Sequence, residues 1–195
     1  MSPRSPLHPS FLVFIFSSLV IGCGSSVEVI KVKDYRIAVE TQHPEAKKDI
    51  QRILNLFNEY SGIEILKNQS DASTANSFIT LKKGLRNNSY SNHIGYGQWI
   101  VESEEIVTNS LNSRRRRTLR YSMNIELDED YMLSRVGDLT AEKEKEKQVL
   151  LFHEIGHGLE MGHHPSDPND IMFKDVSRQK KFSNFFERVR NYMKD

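Results

Sequence analysis

The chain has 195 residues, enough for one domain of ordinary size with some to spare. Lys and Arg total 27 against 26 Asp and Glu, a formal charge of +1, so the basic excess expected of a nucleic-acid binder is missing. With 37% hydrophobic and 27% charged residues the chain is neither a membrane bundle nor a disordered tail, and its single cysteine excludes an intramolecular disulfide and a cysteine-rich zinc site.

Phe11 to Ile21 is an apolar run of eleven behind a segment whose only fixed positive charge is Arg4. It is too short to cross a bilayer as a helix but suits the core of a secretory signal. The run ends Val20-Ile21-Gly22-Cys23, followed by Gly24-Ser25-Ser26. That sequence resembles the lipobox of bacterial lipoproteins, which implies cleavage before Cys23, lipid on its thiol, and export to a bacterial membrane on its periplasmic or cell-surface side. The organisation expected is a signal peptide over 1–22, a lipidated N-terminus and linker over 23–34, and one folded domain over 35–195. An ordinary signal peptide with Cys23 incidental, or a buried N-terminal strand, are the other readings of this segment.

In Tyr35 to Glu40, Tyr35, Ile37 and Val39 alternate with Arg36, Ala38 and Glu40, a strand with one buried face. Pro44 opens a segment in which Ala46, Ile50, Ile53, Leu54 and Phe57 fall at helical spacing until Ser61-Gly62 stops it. Ile63 to Leu66, Phe78 to Leu81 and Gln98 to Val101 read as short strands, with Tyr96, between Gly95 and Gly97, marking a turn before the last. From Thr118 to Leu127 the alternation is strict, Leu119, Tyr121, Met123, Ile125 and Leu127 sharing one face. A second long helix is expected from Thr140, a candidate N-cap, to about Glu160, and a third from Val176 to Met193. This order indicates an α/β layer with a mixed sheet. The Arg114–Arg117 run reads as a solvated hairpin loop, with contact to anionic lipid headgroups or proteolytic nicking as alternatives, and Glu142–Lys147 reads as a solvated helix face.

Of seven histidines, four lie between positions 153 and 164. His153-Glu154-Ile155-Gly156-His157 is His-Glu-x-x-His on the second helix. At about 100° per residue the two histidines are about 40° and one turn apart, so their imidazoles can converge on one metal ion. Glu154 can flank that ion without ligating it, an arrangement that suits Zn²⁺ and a glutamate that accepts the proton of an attacking water. His163 follows after five residues and can supply a third imidazole if the chain turns back, and Asp170-Ile171-Met172-Phe173 comes shortly after.

Here the sequence resembles the metzincin metallopeptidases, the matrixin branch especially, whose pattern is His-Glu-x-x-His-x-x-Gly-x-x-His followed by a Met-turn beneath the metal. The matching residues are His153, Glu154, His157 and His163, with Met172 as the Met-turn methionine. The resemblance implies a zincin-like α/β (α+β) fold: a twisted mixed sheet, an active-site helix, a Met-turn and a C-terminal helix. It also implies one catalytic zinc and a metalloendopeptidase that takes protein or peptide substrates along an edge strand, for which Gln98–Glu102 is the candidate. There is one departure: Glu160 stands at the family's glycine, where the helix breaks. Either Glu160 takes a left-handed conformation or the helix ends later, at Gly162, which would leave His164 competing with His163. Gly156 and Gly158 read as sites of close packing by the Met-turn or the sheet, or as tolerated near a fraying end. Asp128, Glu129 and Asp130 read as a solvated turn or as part of a calcium site of the kind matrixins carry, and His43 and His93 as structural or exposed. The rival from another class is a zinc-stabilised surface lipoprotein that binds or adheres without catalysis.

Overall fold

The computed structural model describes residues 15–16, 27–85, 94–107, 115–133, 141–163, 166–173 and 181–195. In chain order the elements are β1 (Ile15–Phe16), β2 (Val27–Val32), β3 (Tyr35–Glu40), α1 (Pro44–Ser61), β4 (Leu66–Gln69), a short 3-10 turn (Ala72–Thr74), β5 (Ser77–Lys82), β6 (Gly95–Val107), β7 (Arg115–Asp128), α2 (Glu129–Leu133), α3 (Ala141–Gly158) and α4 (Ser183–Lys194). They divide into two units, one drawn from Met1–Val32 and Ser103–Leu119, the other from Lys33–Glu102 and Arg120–Asp195.

In the first unit β1 and β2 pair antiparallel, Ile15 opposite Ile30 and Phe16 opposite Val29. Val27–Val32, expected within a linker, is thus a strand. Arg115–Arg117 is strand too, not the solvated loop expected: it opens β7, and Arg116 pairs with Glu28 of β2 at 3.1 Å. Arg114, Cys23 and most of the apolar run before it lie outside the described residues.

The second unit is built on β3, which runs parallel to β4 on one side and to β5 on the other, and β5 runs parallel to β7. The amide of Asp128, at the end of β7, bonds the carbonyl of Ile94 beside the start of β6 at 2.9 Å, so those two strands are antiparallel. The sheet is therefore mixed, and among the described strands β6 pairs with β7 alone. The parallel step from β3 to β4 needs a crossover, and α1 supplies it. Ala46, Ile50, Ile53, Leu54 and Phe57, the stripe read from helical spacing, are all buried. Gly62 ends α1 at φ 73°, its amide bonding the carbonyls of Asn58 and Glu59, a conformation that glycine adopts without strain.

Phe57 joins the helices to one another. Its ring meets Phe152 of α3 edge-on at 5.3 Å and Phe186 of α4 at 5.2 Å, so three helices share one aromatic core. On β7, Tyr121, Met123, Ile125 and Leu127 are buried as the alternation requires.

Several expectations are corrected. The strand expected at 63–66 lies three residues later, because α1 captures the intervening backbone: Asn58 Oδ1 accepts from the amides of both Ile65 and Leu66 at 3.0 Å, and Ser61 Oγ donates to the carbonyl of Ile63. The turn expected around Tyr96 is the start of β6. Asp128 is not a solvated turn but a buried N-cap, its Oδ1 accepting from the Tyr131 amide at 2.8 Å and so starting α2. Described from Ser183 on, α4 reaches the predicted end, while residues 176–180 lie outside the described residues.

The Glu142–Lys147 run is not wholly solvated either. Lys147 is buried and ion-paired with Asp49 of α1 and, at 3.4 Å, with Glu144, which also pairs with Arg52. The alternation of signs hides a helical stripe in which Glu144 and Lys147 face α1. Burial raises the Asp49 carboxyl, but hydrogen bonds from Lys147 and Arg52 outweigh it and hold the group below the ordinary carboxylate range. Glu144 is held low in the same way by Arg52 and Gln148. A carboxylate with a depressed folded-state pKa stabilises the fold above its unfolded pKa and loses that contribution as pH falls through the folded value. Asp49→Asn is therefore expected to cost about 1–3 kcal/mol at neutral pH and to flatten the loss of stability on acidification. Urea unfolding of both proteins at pH 7 and pH 3 measures this, and equal pH dependence would contradict it.

Candidate metal centre

One turn of α3 carries His153, Glu154 and His157. His153 and Glu154 are each 5% exposed, although both are polar. Each of the two helical imidazoles has its Nδ1 against a backbone carbonyl: His153 against Ile171 at 2.6 Å, His157 against Met161 at 3.0 Å. A carbonyl only accepts, so Nδ1 carries the proton in both rings and Nε2 carries the lone pair. The two Nε2 atoms stand 3.2 Å apart. Two facing lone pairs at that distance repel unless a cation lies between them, and tetrahedral zinc with bonds of about 2.0–2.1 Å spaces its nitrogens by about 3.3–3.4 Å. Burial, then the neighbouring His163, hold His157 below the ordinary imidazole range against the opposing Met161 carbonyl, which keeps it in the neutral, ligating form.

The third imidazole depends on how α3 ends. The helix stops at Gly158, and Glu160 has φ 62°, the one non-glycine residue with positive φ among those described. The Glu160 amide bonds the His157 carbonyl at 3.0 Å and the Met161 amide bonds the Gly156 carbonyl at 2.9 Å, the paired bonds of a Schellman end. Glu160 thus occupies the left-handed position directly, and the alternative of a helix running on to Gly162 is not what the chain does. The reversal returns His163, whose ring lies 4.6 Å from that of His157 and 5.4 Å from that of His153. One nitrogen from each of the three rings falls within 4.8 Å of the others. They form the one group of His, Cys, Asp or Glu placed to hold an ion among the described residues, and Asp128, Glu129 and Asp130 are not in it. His164 and His93 lie outside the described residues, and His43 pairs with Glu129 at 3.5 Å.

Met172 is fully buried against the ligand turn. A Cβ on Gly156 would overlap its sulfur and come within 3.0 Å of its Cε, and one on Gly158 would come within 2.9 Å of Met123 on β7. Both glycines are therefore packing contacts, one to the Met172 turn and one to the sheet. The turn is held at both ends. The Ile171 carbonyl meets His153, Asp170 accepts from the Met172 amide at 2.8 Å, and Arg188 of α4 donates to both Asp170 oxygens at 2.7 and 2.9 Å. In turn α4 is tied to β3 by the Tyr35–Tyr192 hydroxyl contact at 2.9 Å, while Lys33 donates to the Tyr192 carbonyl. The Arg188–Asp170 pair had no signal in the sequence, because its partners lie 18 positions apart on elements with unrelated patterns.

Burial pushes the Glu154 carboxyl up to about 8, and a hydrogen bond from the Gly97 amide opposes the rise. The donor set of three convergent imidazoles, with a buried carboxyl group beside them and outside the group, fits zinc with a position left open.

No protein-family model matches the chain, and no curated protein matches it. Among solved structures it is similar to archaemetzincin from Methanopyrus kandleri, with 13% identity and a TM-score of 0.43 over 90% of this chain and 100% of that one.

A left-handed non-glycine residue carries about 1–2 kcal/mol of strain, and glycine adds a comparable entropy to the unfolded chain. Glu160→Gly is accordingly expected to be neutral or stabilising by up to about 1 kcal/mol and to retain metal. Thermal unfolding together with metal content tests this, and a marked loss of either would show that Glu160 has a contact that outweighs its strain.

Proposed function

We propose that the chain is a zinc metalloendopeptidase of metzincin type, matrixin-like in the sequence resemblance that His153, Glu154, His157, His163 and Met172 carry. The observation that carries the proposal is the convergence of the His153, His157 and His163 nitrogens, with the buried Glu154 next to His153 on the same helix but outside that group. A structural zinc site fills its positions with protein ligands and has no use for Glu154.

Zinc held by the three imidazoles would supply Lewis acidity, acidifying a water molecule and polarising a carbonyl. Beside a bound cation the ionised form of Glu154 is favoured, whatever its pull toward protonation without one. Its carboxylate accepts the proton of the attacking water as the new carbon–oxygen bond forms, then delivers a proton to the amide nitrogen as the carbon–nitrogen bond breaks. Burial of Glu154 keeps bulk water from competing for that proton. His153 and His157 keep their ligating tautomer through the Ile171 and Met161 carbonyls. Substrate peptide would add to the edge of β6 that no other described strand pairs with, along Gln98–Glu102, through main-chain hydrogen bonds, a mode with little sequence preference.

We further propose that residues 1–22 direct export and that Cys23 carries lipid, holding the protein at a bacterial membrane. The lipobox-like Val20–Cys23 and the preceding apolar run support this. Mass spectrometry of the native N-terminus should find a lipid-modified Cys23, and an unmodified thiol would contradict it.

Glu154→Gln keeps the shape of the side chain but cannot accept a proton at neutral pH. The variant is expected to bind one zinc and to lose peptide cleavage by at least about 100-fold. Hydrolysis of denatured protein by the fragment from Ser25 onward, with and without chelator, provides the assay. Near-normal turnover by the variant would overturn the role of Glu154, and zinc binding without cleavage by the unaltered protein would favour a binding module.

A further inference from the structure

Gly95 and Gly97 open β6, two residues apart and so on the same face of the strand, while Tyr96 between them is exposed. Neither has the positive φ that calls for glycine on conformational grounds. Space is what they need. A Cβ on Gly95 would stand 2.6 Å from Glu154 Oε1, 2.8 Å from its Cγ and 2.9 Å from its Cδ, overlapping the side chain from its tip back to Cγ, so that moving the tip alone would not relieve it. On Gly97 a Cβ would overlap the Glu154 carbonyl oxygen and come within 3.0 Å of its carbon and 3.1 Å of His157 Cβ. Two glycines weaken a strand, since they add chain entropy and pack no side chain, so their pairing at this place calls for a reason. Side-chain-free backbone lets the edge strand lie directly on the ligand turn of α3, close enough for the Gly97 amide to donate to the Glu154 carboxylate.

We infer that Gly95 and Gly97 are positioning residues for Glu154: β6 is packed against the side chain at one glycine and hydrogen-bonded to its carboxylate from the other. This rests on the reading of Glu154 as the proton acceptor. With its side chain walled by Gly95 and its carboxylate held by an amide of the same strand that would receive substrate, Glu154 keeps a constant position relative to the peptide. Gly95 acts on the side chain alone. Gly97 acts also on the helix backbone and, through His157 Cβ, on a metal ligand.

The two substitutions therefore have different expected signatures. Gly95→Ala should retain one zinc with affinity within about two-fold of the unaltered protein, leave KM little changed and lower kcat by about 10–100-fold, the range for a misplaced reacting group. Gly97→Ala should weaken zinc binding, because the overlap falls on backbone and on His157. A stability cycle gives a readout that needs no activity: Gly95→Ala should lower the melting temperature by several degrees in the unaltered protein and by much less in Glu154→Ala, which removes the atoms it meets. Gly97→Ala should be as damaging in either background. If Gly95→Ala alone fails to fold but folds when combined with Glu154→Ala, the contact is supported. Equal melting losses in both backgrounds, failure of both proteins to fold, or an unchanged kcat in Gly95→Ala would overturn the inference. Absence of cleavage by the unaltered protein would instead defeat the peptidase reading, while the melting cycle and the zinc affinity of Gly97→Ala still decide the contact.

Discussion

The left-handed turn at Glu160 is the constraint on which the arrangement of the site depends. A helix can align two imidazoles one turn apart, but a third ligand to the same ion must come from outside the helical path. The chain leaves α3 through the Schellman bonds at Gly156 and His157, and the carbonyl of Met161, just past the helix end, turns back onto His157 Nδ1. The same reversal thus delivers His163 and sets the tautomer of His157. A non-glycine residue bears the strain of this turn, and the fold sustains it because the bonds around it are satisfied.

Close approach is the second theme, and glycine is its instrument. Around one turn of α3, Gly156 admits Met172, Gly158 admits Met123 of β7, and Gly95 and Gly97 of β6 admit Glu154 itself. The ligand turn is therefore surrounded at shorter range than side chains would allow. Each neighbour is anchored elsewhere: the Met172 turn through Asp170 to Arg188, and β7 through its pairing with β5. Rigidity of this kind suits the proposed chemistry, in which Glu154 would be held at a fixed distance from an ion.

How much of this was legible in the sequence follows from what each feature depends on. Helix α1 and its stripe of buried apolar residues, and the buried face of β7, are periodic patterns that local spacing encodes directly. The convergence of His153, His157 and His163 was legible because it combines helical spacing with a fixed count of intervening residues, and the position of Glu160 because it stands where the resembled pattern has glycine. Features that need a partner in space were hidden. Gly95-Tyr96-Gly97 has the composition of a turn, and its pairing with β7, farther along the chain, makes it a strand that needs glycine where it meets Glu154. The alternating charges before α3's apolar stretch concealed that Lys147 points at Asp49, and Asn58 shifted β4 by taking up amides that a strand at 63–66 would have used.

The account stands or falls on three imidazoles sharing one ion with a position left open, and X-ray absorption at the zinc edge of the zinc-loaded protein tests that most directly. It predicts about three nitrogen scatterers with imidazole outer-shell features and one further light atom near 2.0–2.1 Å. Two imidazoles, or a fourth imidazole closing the site, would contradict it.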